Sequence, residues 1–361
     1  MKKLMVTTAI ASVLTSAAIA QTTITGQLRL SYSDVTAKKG FNSPTTSTTS
    51  DSSYGFGSEQ QINVQTKGKL NLGGLEYAAG FAIENDGEQT GTLFNENTYI
   101  DLTNASSGTT ISFSRDHIQR SDTDFAATNL VGFSANELSQ TGLATNANTR
   151  FKQNIGAAPG QNFGAAIVQK TPIGTFSYNY VPTNSNVTAG ALSTTSGDSS
   201  GQGSSEAVAA NTTAAYEYGF VGDLGVKGLT VHYFKNKNDD FVTTTNTVSA
   251  EAKNYGIKYN FGEVTVAANK KKHQAESTAA AEITETAYAA AYAINKDLSI
   301  GLIVAKAELQ NNAVDQKVKG INVGYNLGPV DLSLGYAQNT DLNGIAGNDS
   351  NHFIARFIGN F

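Results

Sequence analysis

Four acidic side chains are notable for their setting. Asp116, Asp122, Asp124 and Glu137 share the longest stretch that lacks strand-like patterning, residues 116–160, with Arg115 at its edge and Arg120, Arg150 and Lys152 inside it. Elsewhere Arg29, Lys67, Lys69 and Arg356 occupy the polar positions of alternating segments. Acids on one side of a wet space and bases on the other create a transverse field, which orients polar solutes and hinders apolar ones. Rings of fixed charge are also a standard means of sorting ions. Covalent chemistry has much less to work with. There is no cysteine, so no thiolate nucleophile and no thiolate metal site. His117, His232, His273 and His352 lack metal-ligand spacing, and neither a G-x-S-x-G elbow nor a phosphate loop is present. The sequence calls for no cofactor, no catalytic residue and no metal, and the expectation is that the chain is not an enzyme.

The elements that must position these charges are strands. In 23–32, Ile24, Leu28, Leu30 and Tyr32 face one way while Thr25, Gln27, Arg29 and Ser31 face the other. Side chains alternate across a strand, so this segment has one oily and one wet face. The pattern recurs sixteen times: 22–34, 58–72, 75–85, 97–103, 108–115, 161–170, 174–182, 209–219, 228–237, 250–261, 263–272, 283–294, 298–308, 315–327, 329–339 and 350–361. Connections alternate as well. Gly73-Gly74, 104–107, 172–174, 261–262, 295–297 and 328–329 are short. Those at 35–57, 86–96, 116–160, 183–208, 238–249, 273–282, 309–314 and 340–349 are longer and mostly rich in Ser, Thr, Asn and Gly.

Composition narrows the class. Only 15% of residues are charged and 39% are hydrophobic, against about 25% and 45–50% in average soluble domains. Mean hydropathy is −0.25 and no run after residue 20 is long and apolar enough for a transmembrane helix. The net charge of −5 excludes the basic balance of a nucleic-acid binder. Residues 1–20 read as a cleaved secretory signal peptide: Lys2 and Lys3, a short apolar stretch, then Ala18-Ile19-Ala20 before Gln21. The remaining chain, 21–361, alternates without a linker. Strands can cross lipid only in a closed sheet that pairs every backbone group, and short turns at one end with long loops at the other describe an up-and-down barrel. Sixteen strands leave an aqueous bore, which suits the polar or small inward residues Gln27, Asn63, Gln65, Glu76, Glu84, Lys258, Asn322 and Ser333. Tyr and Phe, in a chain without Trp, are expected to form girdles at both membrane interfaces.

At this point the chain resembles the Gram-negative general porins. The ending Asn351-His352-Phe353-Ile354-Ala355-Arg356-Phe357-Ile358-Gly359-Asn360-Phe361 is similar to their last strand, and 162–178, with its Thr171-Pro172-Ile173-Gly174 turn, is similar to the hairpin after their third loop. The resemblance implies a trimeric, sixteen-stranded outer-membrane barrel whose long third loop folds into the lumen. It implies passive diffusion of small hydrophilic solutes and ions, and recognition of Phe361 by the outer-membrane assembly machinery. Asp116, Asp122, Asp124 and Glu137 then stand as the constriction, with Arg29, Lys67, Lys69 and Arg356 as the basic wall. For Lys67 and Lys69, near the periplasmic turn, plain solvation is an equal alternative. The acidic loop and negative net charge favour weak cation selectivity. Segments 97–103 and 108–115, the shortest, are the expected trimer wall. Lys270-Lys271-Lys272 is expected either to meet anionic outer-membrane lipid or to form a solvated loop edge. The alternatives of an adhesin or receptor barrel, and of a substrate-specific porin, remain open at this stage.

Overall fold

The computed structural model describes residues 21–37, 53–85, 94–115, 127–139, 163–184, 213–242, 247–274, 282–309 and 314–361. The signal peptide at 1–20 lies outside these residues. Within them the chain forms β1 (Gln21–Ala37), β2 (Ser53–Lys69), β3 (Leu75–Asn85), β4 (Phe94–Asn104), β5 (Thr109–Arg115), α1 (Ala135–Leu138), β6 (Phe163–Thr171), β7 (Gly174–Asn184) and β8 (Thr213–Gly222). There follow β9 (Leu229–Val242), β10 (Thr247–Asn260), β11 (Val264–Gln274), β12 (Glu282–Ala293), β13 (Leu298–Leu309), β14 (Gln316–Asn326), β15 (Val330–Thr340) and β16 (Ser350–Asn360).

Each strand pairs antiparallel with its sequence neighbours, and β1 pairs with β16, so the sheet is a closed barrel. Closure leaves no strand edge, the only way a sheet can stand in lipid. The seam continues to the last residue: the Gly26 amide donates to the Phe361 carbonyl at 2.7 Å, and the Phe361 amide donates back at 3.0 Å. The Phe361 ring covers Gly26 so closely that a Cβ there would overlap it.

The short turns follow from local chemistry. Gly73 and Gly74 take φ of 57° and 74°, a left-handed pair that other residues rarely adopt. Four other turns are held by an Asx side chain accepting from the backbone two residues on: Asn104 from Ser106, Asn260 from Gly262, Asn295 from Asp297, and Asn326 from Gly328. The Asp223 carboxylate does the same for Gly225 between β8 and β9.

The two sheet faces match the sequence alternation. Ile62, Ile100, Ile111, Ile257, Leu302 and Tyr336 are all exposed on the outer face. A soluble protein could not leave so continuous an apolar band in water. Aromatic contacts collect at both ends of this face. Tyr32 meets Phe56 with centroids 5.0 Å apart, in the half of the barrel nearer the long loops; Phe176 meets Phe220 at 4.7 Å, and Tyr259 meets Phe261 at 5.9 Å, beside the short turns.

Three sequence expectations need correction. β2 runs from Ser53 to Lys69, so Leu72 belongs to the turn and is exposed. β4 has 11 residues, leaving β5 with 7 as the short strand of that pair. A register shift between Gly80 and Ala82 opposite β4 interrupts the alternation there and hid its first residues, 94–96, beside the long connection. The Lys270–Lys272 run is not a single surface cluster. Lys271 is buried beside Glu285, while Lys270 and Lys272 share the parity of the exposed Val266.

Candidate functional site

The site is built on the strand faces opposite the apolar band. Residues 127–139 lie against β13–β16, where α1 sits on Ile303, Ala305, Val318, Ala337 and Ile354 through Phe133 and Leu138. These wall positions alternate in sequence with the exposed Leu302, Val304, Ile321, Tyr336 and Phe353. Glycines make the fit. A Cβ at Gly320 would stand 2.6 Å from Leu138, and one at Gly335 would stand 2.8 Å from Phe133. Real Cβ contacts are never that short, so the two glycines are sockets that a larger residue would fill.

Local chemistry explains why so short a helix forms. Ser134 caps it: its hydroxyl accepts from the Glu137 amide at 3.3 Å, and a Glu137 carboxylate oxygen accepts from the Ser134 amide at 2.8 Å. This reciprocal box satisfies two amide donors that would otherwise be unpaired. Wall side chains then hold the ends. Asn322 donates to the Phe133 carbonyl at 3.0 Å, and Asn339 donates to the Leu138 carbonyl at 3.1 Å. His352 Nδ1 lies 3.1 Å from the same Leu138 carbonyl, which can only accept, so Nδ1 carries the proton. In the neutral ring Nε2 then accepts from the Ser33 hydroxyl at 2.7 Å.

Glu137 and Arg356, named from sequence as loop acid and wall base, come together. Arg356 Nη2 donates to Glu137 Oε1 at 2.6 Å, and the guanidinium stacks 4.7 Å from the Phe133 ring centroid. Glu137 therefore uses one oxygen to cap the helix and the other to hold the wall. Arg29 finds a different partner. It pairs with Glu59, directly opposite on β2, and its Nη2 also reaches Gln27 at 3.4 Å. The neighbouring ladder continues through Asn63 to Gln61 at 3.4 Å and Gln61 to Glu84 at 3.1 Å. Lys67 and Lys69 end β2, exposed, with no ion pair among the described residues. Asp116, Asp122 and Asp124 lie outside the described residues. Phe361 sits at the seam with its ring exposed.

Sequence reasoning missed a second polar wall on β8–β12. Asn236 donates to Glu217 at 3.0 Å, His232 meets Asn254 at 3.1 Å, and Lys271 stands 4.0 Å from Glu285. Their signal was available, since each occupies the polar parity of its strand. The described residues hold no group of three or more potential metal ligands.

A wet inner face lined by matched acids and bases, inside a closed apolar belt, is the geometry of a channel wall. A family model described as Gram-negative porin matches residues 6–344. No curated protein matches the sequence. Among solved structures, the chain is similar to an anion-selective porin from Comamonas acidovorans, at 13% identity and a TM-score of 0.66, covering 95% of this chain and 100% of that one. It is similar to a loop-deletion mutant of OmpT, an outer membrane protein of Vibrio cholerae, at 12% identity and a TM-score of 0.63, covering 95% and 99%. A triple mutant of the Rhodopseudomonas blastica porin gives 14% identity and a TM-score of 0.57 over 94% and 100%. Identities this low speak for the fold alone, but the family match spans nearly the whole chain. The chain belongs to the Gram-negative porin family and is an outer-membrane barrel of the channel-forming kind.

Proposed function

We propose that residues 127–139 fold into the bore, that they form the narrowest part of a water-filled path, and that small hydrophilic solutes and ions cross it by passive diffusion. The reading excludes a catalytic role, requires no cofactor and takes the chain after residue 20 as the working protein. The observation that carries it is the ion pair from Arg356 on β16 to Glu137 at α1, on the strand face opposite the apolar band. A segment docked on that face by sockets, backbone hydrogen bonds and a salt bridge stays fixed as solute passes. Fixed groups aimed at the path replace part of a solute's hydration without moving, which is how a constriction selects.

Weak cation selectivity belongs to the same reading. Three inner-wall bases are matched, Arg29 by Glu59, Arg356 by Glu137 and Lys271 by Glu285, while Lys67, Lys69 and Lys258 have no acid partner among the described residues. Homotrimeric assembly is also part of the proposal, with β5 and its neighbours packed between subunits. At 7 residues β5 is shorter than the 9–11 that span lipid comfortably. Phe361, which completes the seam, is proposed as the signal for the assembly machinery.

Planar-bilayer conductance of the purified protein tests the constriction. Arg356→Gln should loosen the hold on Glu137 and raise noise and conductance. Unchanged current in that variant would remove 127–139 from the path.

A further inference from the structure

The outer face carries lysines in an unfavourable arrangement. Lys235, Lys253 and Lys272 stand directly opposite one another across β9, β10 and β11. A second row begins at Lys270 on β11, passes Thr286 on β12, and reaches Lys306 and Lys317, directly opposite on β13 and β14. All six share the parity of exposed apolar neighbours such as Tyr255, Val266, Leu302 and Ile321, and all but Lys235, at the middle of β9, lie in the half of their strands nearer the long loops. Side chains directly opposite on adjacent strands have Cβ atoms about 5 Å apart, and like charges there repel.

Acids relieve only part of this. Glu251 bridges Lys235 at 2.7 Å and Lys253 at 2.8 Å, Glu282 holds Lys272 at 2.8 Å, and Lys306 is shared by Glu308 at 2.5 Å and Asp315 at 2.9 Å. Lys319 adds one more outward cation, so seven lysines face four acids among the described side chains. The other half of the barrel differs. On β1–β3 the corresponding outward positions are Tyr32, Asp34, Tyr54, Phe56 and Asn85.

We propose that these two rows are a docking surface for the phosphate groups of the outer-leaflet glycolipid, confined to the β9–β14 side of the barrel. The first row sits one outward position above Tyr233 and Tyr255, which continue the second row across β10 and β9, and the second row sits above Tyr288 on β12, at the level where interfacial aromatic rings give way to headgroups. A flexible lysine stem lies along apolar surface and holds its ammonium at that level. Paired phosphates between rows would replace lysine–lysine repulsion with attraction. The surface also orients the assembly: β9–β14 faces lipid, and the lysine-poor side is left for protein contact. The proposal rests on the outer-membrane reading and not on the constriction.

The test uses the protein purified from outer membranes into detergent, with native mass spectrometry and thermal unfolding on addition of bis-phosphorylated lipid A, its dephosphorylated form, or inorganic phosphate. Wild type should retain lipid A and gain thermal stability, and should respond to neither of the other two. Lys253→Gln with Lys272→Gln, and Lys306→Gln with Lys317→Gln, should each weaken lipid A retention roughly thirtyfold, at a factor of about five per lysine near an anionic surface. The matching Arg substitutions, and Lys258→Gln on the inward face of β10, should retain it. Single-channel conductance of the variants shows that they are folded and separates this result from the transport reading. Equal retention by wild type and both Gln pairs, equal binding of the dephosphorylated lipid, or displacement by millimolar inorganic phosphate overturns the proposal.

Discussion

Glu137 serves two partners with one carboxylate: the Ser134 amide and the Arg356 guanidinium. Glu137→Gln keeps a weaker cap but loses the charge on the pair. Arg356 is then left part-buried without its anion, a change that costs more than loss of an exposed pair. The expected outcome is a loosened α1 and larger current fluctuations in single-channel records, with the barrel still folded by heat-modified electrophoresis. Leu138→Ala removes the knob from the Gly320 socket and should cost about 2–5 kcal/mol of local docking, read as faster proteolysis within 116–160. Phe361→Ala should lower the yield of folded barrel in the outer membrane, because the ring covers Gly26 and the terminal residue completes the seam. The paired charges themselves were readable in advance. Arg356 took the polar parity of its strand, and Glu137 lay in the longest connection. That they meet was not, because no periodicity links a loop residue to a strand more than two hundred positions away.

The strands were the most legible elements, since period-two alternation is itself the physical requirement of a sheet with oil on one side and water on the other. Where reading failed, a local reason is visible. Gly55 and Gly57 dilute the alternation at the start of β2, yet that segment pairs with β1 as far as Val35. The register shift near Gly80 breaks the pattern of β4, and Leu72 mimics a strand residue inside a turn. α1 was invisible because four residues are too few to show a helical period, and its sockets are spread over β14 and β15. Turn chemistry yields a prediction at this scale. Replacing Gly73 and Gly74 by Ala forces two side chains into positive φ, at about 1 kcal/mol each. The β2–β3 hairpin should fold more slowly, measured as the rate of barrel formation in refolding into detergent. Replacing Lys296, which lies between two residues of the Asn295 turn and is almost fully exposed, should leave that rate unchanged.

For the whole molecule, closure and the two-faced wall place the protein in the outer membrane and make it a channel, and both follow from a chain that is polar on average although only 15% of its residues are charged. Assembly is the next level. With β5 at 7 residues and lysines gathered on the far side, mass photometry in mild detergent should show three copies; monomers alone would contradict it. The central proposal is that residues 127–139 narrow the path and that Asp122, Asp124 and Glu137 set its selectivity. The measurement that tests it most directly is the reversal potential of the purified channel in a planar bilayer under a salt gradient, before and after Asp122, Asp124 and Glu137 are all changed to Lys. The account predicts a cation-selective potential in the native protein and a clear shift toward anions in the variant. A reversal potential that stays in place within error would contradict it, and would mean that the ions pass elsewhere in the bore.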